Sequence, residues 1–126
     1  MPLAGLGASP VDEKLRYVKI RPQAREDLME AFASDDEDQI CNAMYSAAQH
    51  EPDWRWTQTE LIKLLSHKSL LVRSSAIAAI GEVAIFQRNL DPEVVLPELY
   101  KIADDPALAP FVEDCLDDIK RCIRVQ

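Results

Sequence analysis

Glycine is scarce here, three residues in 126, and two of them sit in the opening MPLAGLGASP. There is no glycine-rich phosphate loop, no HExxH and no nucleophile elbow, so the common signatures of phosphate binding, zinc proteolysis and serine hydrolysis are missing. Cysteine is sparse too: three residues, an odd number, with no CxxC. That argues against a disulfide framework and against a zinc site, and the cytoplasm is the expected compartment. Cys115 and Cys122 share a helix face but lie ~10 Å apart along it, too far to bridge. Each is expected to pack as a small hydrophobe. No apolar run approaches the ~20 residues expected of a membrane helix. The opening segment lacks the basic and long apolar regions of a secretory signal and reads as a flexible tail over residues 1–10. Basic residues are outnumbered 14 to 22, for a formal charge of -8. A deficit of Lys and Arg disfavours direct binding to a phosphate backbone.

What the chain does have is helical periodicity. Residues 11–126 read as one domain. Over 11–21 a short helix competes with an extended segment; the helix is favoured, and Pro22 closes it by restricting Arg21. From Pro22 to Ala33, Ala24, Leu28, Ala31 and Phe32 form an apolar stripe. Ser34, Asp35 and Asp36 interrupt it and offer an N-cap to a helix over Glu37–Gln49. Trp54 and Trp56 flank the next start, where Thr57 and Glu60 have capping-box spacing, and that helix runs to Ser66. Leu70–Phe86 is apolar nearly all round, with only Arg73 and Glu82 charged. A helix of that kind is covered on several sides, so it is expected at the centre of the fold. Pro92 opens a helix ending at Ala103, with Pro97 tolerated early at the cost of a kink. The last helix spans about Pro110–Ile123, with Phe111, Cys115, Leu116 and Ile119 inward. The chain is therefore expected to be all-α.

The six helices fall into three pairs. A shift of 32 sets Val72 on Ile40 and Ala76 on Met44; a shift of 39 sets Val72 on Phe111 and Ala76 on Cys115. The central unit, LIKLLSHKSLLVRSSAIAAIGEVA, resembles a HEAT repeat through Val72, Arg73, Ala76, Ala79 and Gly81. The resemblance implies a HEAT-like stack of three helical hairpins, of the α-solenoid type, with a short N-terminal helix or arm. It also implies a structural Arg73 that bonds acids in a neighbouring turn, with Asp35, Asp36, Asp104 and Asp105 available. Cys41 and Val112 occupy the matching positions, so the family's arginine ladder is absent.

His50 and His67 lie in turns, away from any ligand set, so no catalytic residue, metal or cofactor is expected and the protein is read as a non-enzyme. The acids carry a stronger pattern. Asp35, Asp36 and Asp38 open one second helix; Asp104 and Asp105 precede another, which carries Glu113, Asp114, Asp117 and Asp118. In HEAT-like stacks the second helices line the concave surface, which would gather these acids along one groove and attract a basic protein. Trp54 and Trp56 can serve as core or as partner anchors. Small, acidic helical-repeat proteins resemble the immunity proteins of bacterial toxin systems. That resemblance implies capture of a basic partner, such as a nuclease toxin, with no direct nucleic-acid or membrane contact. Two other readings are a HEAT-like lyase or chaperone subunit for a prosthetic group, which needs an exposed Cys or His in a pocket, and an adaptor in a larger assembly.

Overall fold

The computed structural model describes residues 20–123, which form six helices and no strand. These are α1 (Arg25–Phe32), α2 (Glu37–His50), α3 (Trp54–Leu64), α4 (Leu70–Gln87), α5 (Pro92–Ile102) and α6 (Ala109–Cys122). The tail and nearly all of the proposed 11–21 helix lie outside the described residues. Ile20 and Arg21 are non-helical, and their carbonyls accept from His50 Nε2 at 3.2 Å and Ser46 Oγ at 2.6 Å.

Local chemistry sets most boundaries. Asp36 caps α2 by accepting from the backbone N–H groups of Asp38 and Gln39, and Ser69 caps α4 through the Val72 N–H. Pro92 occupies the first turn of α5, where a missing N–H costs nothing. The cap of α3 differs from expectation. Asp53 takes the Trp56 N–H at 3.1 Å and starts the helix three residues before Thr57. Thr57 is instead buried inside the helix, its hydroxyl without a partner among the described residues. An acid at the true start outcompetes the capping-box hydroxyl because its charge also complements the helix dipole. Helix α4 ends on Arg88 in the left-handed conformation, φ 56°.

Helices α1/α2, α3/α4 and α5/α6 pair as hairpins, and the second helices form a layer with α4 between α2 and α6. Gln49 Nε2 near the end of α2 bonds Glu82 late in α4, and Gln87 Nε2 reaches back to the carbonyls of Ala48 and Glu51. The second helices of the first two hairpins therefore run parallel, and Gln87 satisfies carbonyls left open at the end of α2. Between the second and third hairpins the buried Gln58 exchanges hydrogen bonds with Asp91: its Oε1 accepts the Asp91 N–H at 2.8 Å.

The main core runs through all three hairpins. Val72, Ala76, Ile77, Ala79, Ile80 and Val83 of α4 are fully buried against Ile40 and Met44 on one side and Val112 and Cys115 on the other. By length and a mean hydropathy of 1.4, α4 is apolar enough to cross a bilayer, which corrects the expectation that no stretch approaches that length. Its middle is covered by its own neighbours, as in a soluble core helix, while Leu70, Leu71, Ile85 and Phe86 at its two ends stay exposed. A smaller cluster (Leu28, Ala31, Ala43 and Ala47 with Phe32 and Trp56) holds α1 to α2. Ala24, expected in the α1 stripe, is exposed and lies just before the helix.

Two further expectations are corrected. Phe111 is 42% exposed, and the buried face of α6 is Val112, Cys115 and Ile119, continued by Leu108 just before the helix. The match to Val72, Ala76, Ala79 and Val83 therefore runs at a shift of 36 rather than 39. The second correction concerns Arg73. Among the described residues it makes no ion pair with Asp35, Asp36, Asp104 or Asp105. Its Nη1 donates to the carbonyls of His67 (3.0 Å) and Lys68 (3.1 Å) in its own turn. The tight turn before α4 leaves those carbonyls without helical partners, one helical turn from the guanidinium, while the acids sit in other turns. The hydrogen bonds of the Arg73 guanidinium therefore stay within its own hairpin.

Candidate functional site

A groove of about 290 Å³ runs between α4 and α6. Ala78, Glu82, Ile85 and Phe86 line it from α4, and Phe111, Asp114, Cys115 and Asp118 from α6. Both sets recur at three- and four-residue steps, so each is one stripe of its helix. The two helices meet closely at Gly81, where an added Cβ would come within 2.8 Å of Asp118 Oδ2. A glycine there lets the Asp118 carboxylate lie against the backbone of α4.

Three carboxylates converge on this groove, and they differ in environment. Burial pushes Asp118 above the ordinary carboxylate range; Arg121, donating to Oδ1 at 2.6 Å, pulls it back, and Asp114 and Asp117 push it further up. Glu82 is tied to Gln49. Asp114 is exposed and has no ion pair among the described residues. The apolar part is exposed as well: Phe86 is 48%, Phe111 42% and Ile85 37% exposed. Large apolar side chains left bare around an acidic cleft mark an interaction surface more than a solvated face.

The sequence-predicted acids do not all gather here. Asp114 and Asp118 line the groove. Glu113 and Asp117 are exposed on α6 but turn away from it, Asp117 within 4.0 Å of Arg121. Asp35, Asp36 and Asp38 surround the start of α2, where Asp36 is spent on capping. Asp104 and Asp105 lie in the turn before α6, Asp105 accepting the Ala107 N–H. Sequence reasoning does not find the α4 wall, Glu82 with Ile85 and Phe86. Its signal is the lone acid in the later part of an apolar helix, followed by two large hydrophobes.

Both tryptophans are engaged within the protein. Trp54 packs on the main core under the Arg55 guanidinium, 4.4 Å from its ring. Trp56 faces Phe32, with ring centroids 6.1 Å apart, and carries the Arg25 guanidinium 4.1 Å above it. Arg25 also pairs with Glu51 (3.2 Å) and Asp53 (3.3 Å), contacts that raise its already high pKa.

The groove contains one potential nucleophile, Cys115. It is 1% exposed, and burial, helped by the Asp118 charge, pushes its thiol up to about 12. A thiol so placed stays protonated and unreactive at neutral pH. Neither His50 nor His67 lines the groove.

No protein-family model matches the sequence, and no curated protein does, so the likeness of the central hairpin to HEAT repeats is not extended to membership of that family. The fold does match a solved structure. Over 84% of this chain and 96% of the other, at 25% identity and a TM-score of 0.74, it is similar to a chain in the crystal structure of a CDI complex from Cupriavidus taiwanensis LMG 19424.

Proposed function

We propose that this chain is a non-enzymatic, protein-binding module of the immunity type. It works in the cytoplasm, where the groove between α4 and α6 captures a basic protein partner, the toxin of a contact-dependent inhibition system. The observation that carries the reading is the groove itself: carboxylates of Glu82, Asp114 and Asp118 set among bare Ile85, Phe86 and Phe111. The likeness to a chain of a CDI complex supports it from an independent direction. Asp35, Asp38, Asp104, Asp105, Glu113 and Asp117 are exposed outside the groove and add to the negative charge that steers encounter. A nuclease is the toxin class that fits best, because its substrate-binding face is basic. The prosthetic-group alternative needs an exposed Cys or His in a pocket, and Cys115 is sealed.

The test is to recover the chain's protein partner by pull-down and to measure its association kinetics. Charge reversal at Asp114 (Asp114→Lys) is expected to slow association by about 10-fold or more at low salt. Raising the salt is expected to mimic the defect in the unaltered protein by screening the field. Asp114 is the right position because it is exposed, whereas Asp118 is wedged against Gly81 and its reversal would disturb the fold. Recovery of an acidic partner, or unchanged association of the reversed variant at low salt, would refute the proposal.

A further inference from the structure

The α4–α6 groove combines its negative charge with bare aromatic rings, and that combination selects among cations. We infer, resting on the function just proposed, that the groove is built for an arginine side chain of the partner, carried on a segment with apolar flanks, and discriminates against lysine.

The volume, about 290 Å³, equals that of roughly ten liquid waters, room for one long side chain rather than a whole helix. Its lining includes Phe86 and Phe111, both bare, and its α6 wall offers the Asp114 and Asp118 carboxylates one helical turn apart. An ammonium group is a compact, strongly hydrated charge that loses water on entering such a groove. A guanidinium is planar and weakly hydrated, stacks on aromatic rings and binds carboxylates with two prongs. The exposed Ile85 and Phe86 cover apolar residues beside the arginine, which a purely electrostatic site would not need.

The same chain shows this set of groups at work elsewhere. Arg25 lies over the Trp56 ring at 4.1 Å while bonding two carboxylates, Glu51 and Asp53. The groove presents the same combination, an aromatic face with two acids, and Asp114 in it has no cation of its own among the described residues. Arg121 already holds Asp118 through one oxygen, so the incoming guanidinium takes Asp114 first and shares Asp118.

The experiment compares hexa-arginine amide with hexa-lysine amide, peptides of equal charge, titrated into the full chain at about 0.15 M salt, where charges are screened beyond about 8 Å. The readouts are calorimetry and the amide shifts of Gly81, Phe111 and Asp114. Long-range attraction is the same for both, so a difference reports the guanidinium. The arginine peptide is expected to bind about three-fold tighter or more, the measure of an exposed cation–π contact. The ratio should fall to about one in the double variant Phe111→Ala with Asp114→Asn, both exposed positions. Equal affinities in the unaltered protein, or a preference that survives the double variant, would overturn the inference. Toxin capture without arginine preference sinks only this inference; arginine preference without toxin capture sinks only the immunity reading.

Discussion

Gly81→Ala tests the α4–α6 contact directly, because two opposed effects of known size meet at one atom. Glycine inside a helix is about 1 kcal/mol less favourable than alanine, so the substitution starts with a gain of that size. Against it stands the new methyl, which would lie 2.8 Å from Asp118 Oδ2 but 3.7 Å from Asp118 Cβ and Cγ. Only the tip of a rotatable side chain has to move, and the backbones can stay where they are. The cost is a weakened bond to Arg121, a pair in which Arg121 is 64% exposed. Exposed pairs of that kind contribute between about 0 and 1 kcal/mol. The expected net effect is between neutral and about 1 kcal/mol of stabilisation, read from urea unfolding with an unchanged m-value. Destabilisation beyond about 2 kcal/mol would refute the reasoning, since it would mean that the helices, and not the carboxylate, must move apart. The same variant reports on function: swinging Asp118 out of place should weaken partner binding while stability holds.

Ile80→Ala removes a fully buried side chain from the centre of α4 and should cost about 2–5 kcal/mol in chemical denaturation, enough to unfold a marginal domain. Arg73→Ala should cost about 1.5–3 kcal/mol, the range for a hydrogen bond to a charged group, and Arg73→Met should recover little of it, because methionine offers no donor to the carbonyls of His67 and Lys68. A loss that methionine restores would return Arg73 to a packing role. Cys115 should resist iodoacetamide at pH 8 in the folded protein and react after denaturation, as followed by mass spectrometry. Its thiol pKa is raised, so the folded state holds that proton more tightly than the unfolded chain; the group adds no pH dependence below the ordinary thiol range and lowers stability as the pH rises towards 12.

The helices are legible in the sequence because their signals are local: a cap at Asp36, proline at position 92, and an apolar period long enough to count. The register of α6 is not, since Phe111 and Val112 are adjacent and both apolar, and a rotation of one residue exchanges which is buried. Packing on α4 decides that, through a contact far away in sequence. The full exposure pattern of α4 escapes for a related reason. An apolar helix longer than the neighbours that cover it must leave its ends bare, and composition alone does not say where the cover stops. Half of the groove is visible as the i, i+4 pair Asp114 and Asp118; the α4 half depends on knowing which face α6 meets. The acceptors of Arg73 are not legible, because they are backbone carbonyls, which carry no residue-type signal.

The division of the interior into a large and a small cluster sets an order in which the molecule comes apart. Helix α1 has eight residues, two of them buried, and is held by the small cluster and by the pairing of Arg25 with Glu51 and Asp53. A helix that short has little stability of its own, so it can detach without opening the core around α4. Its release would free Trp56 of both Arg25 and Phe32, giving an indole whose emission reports the first, partial step of unfolding, while Trp54 reports the loss of the main core.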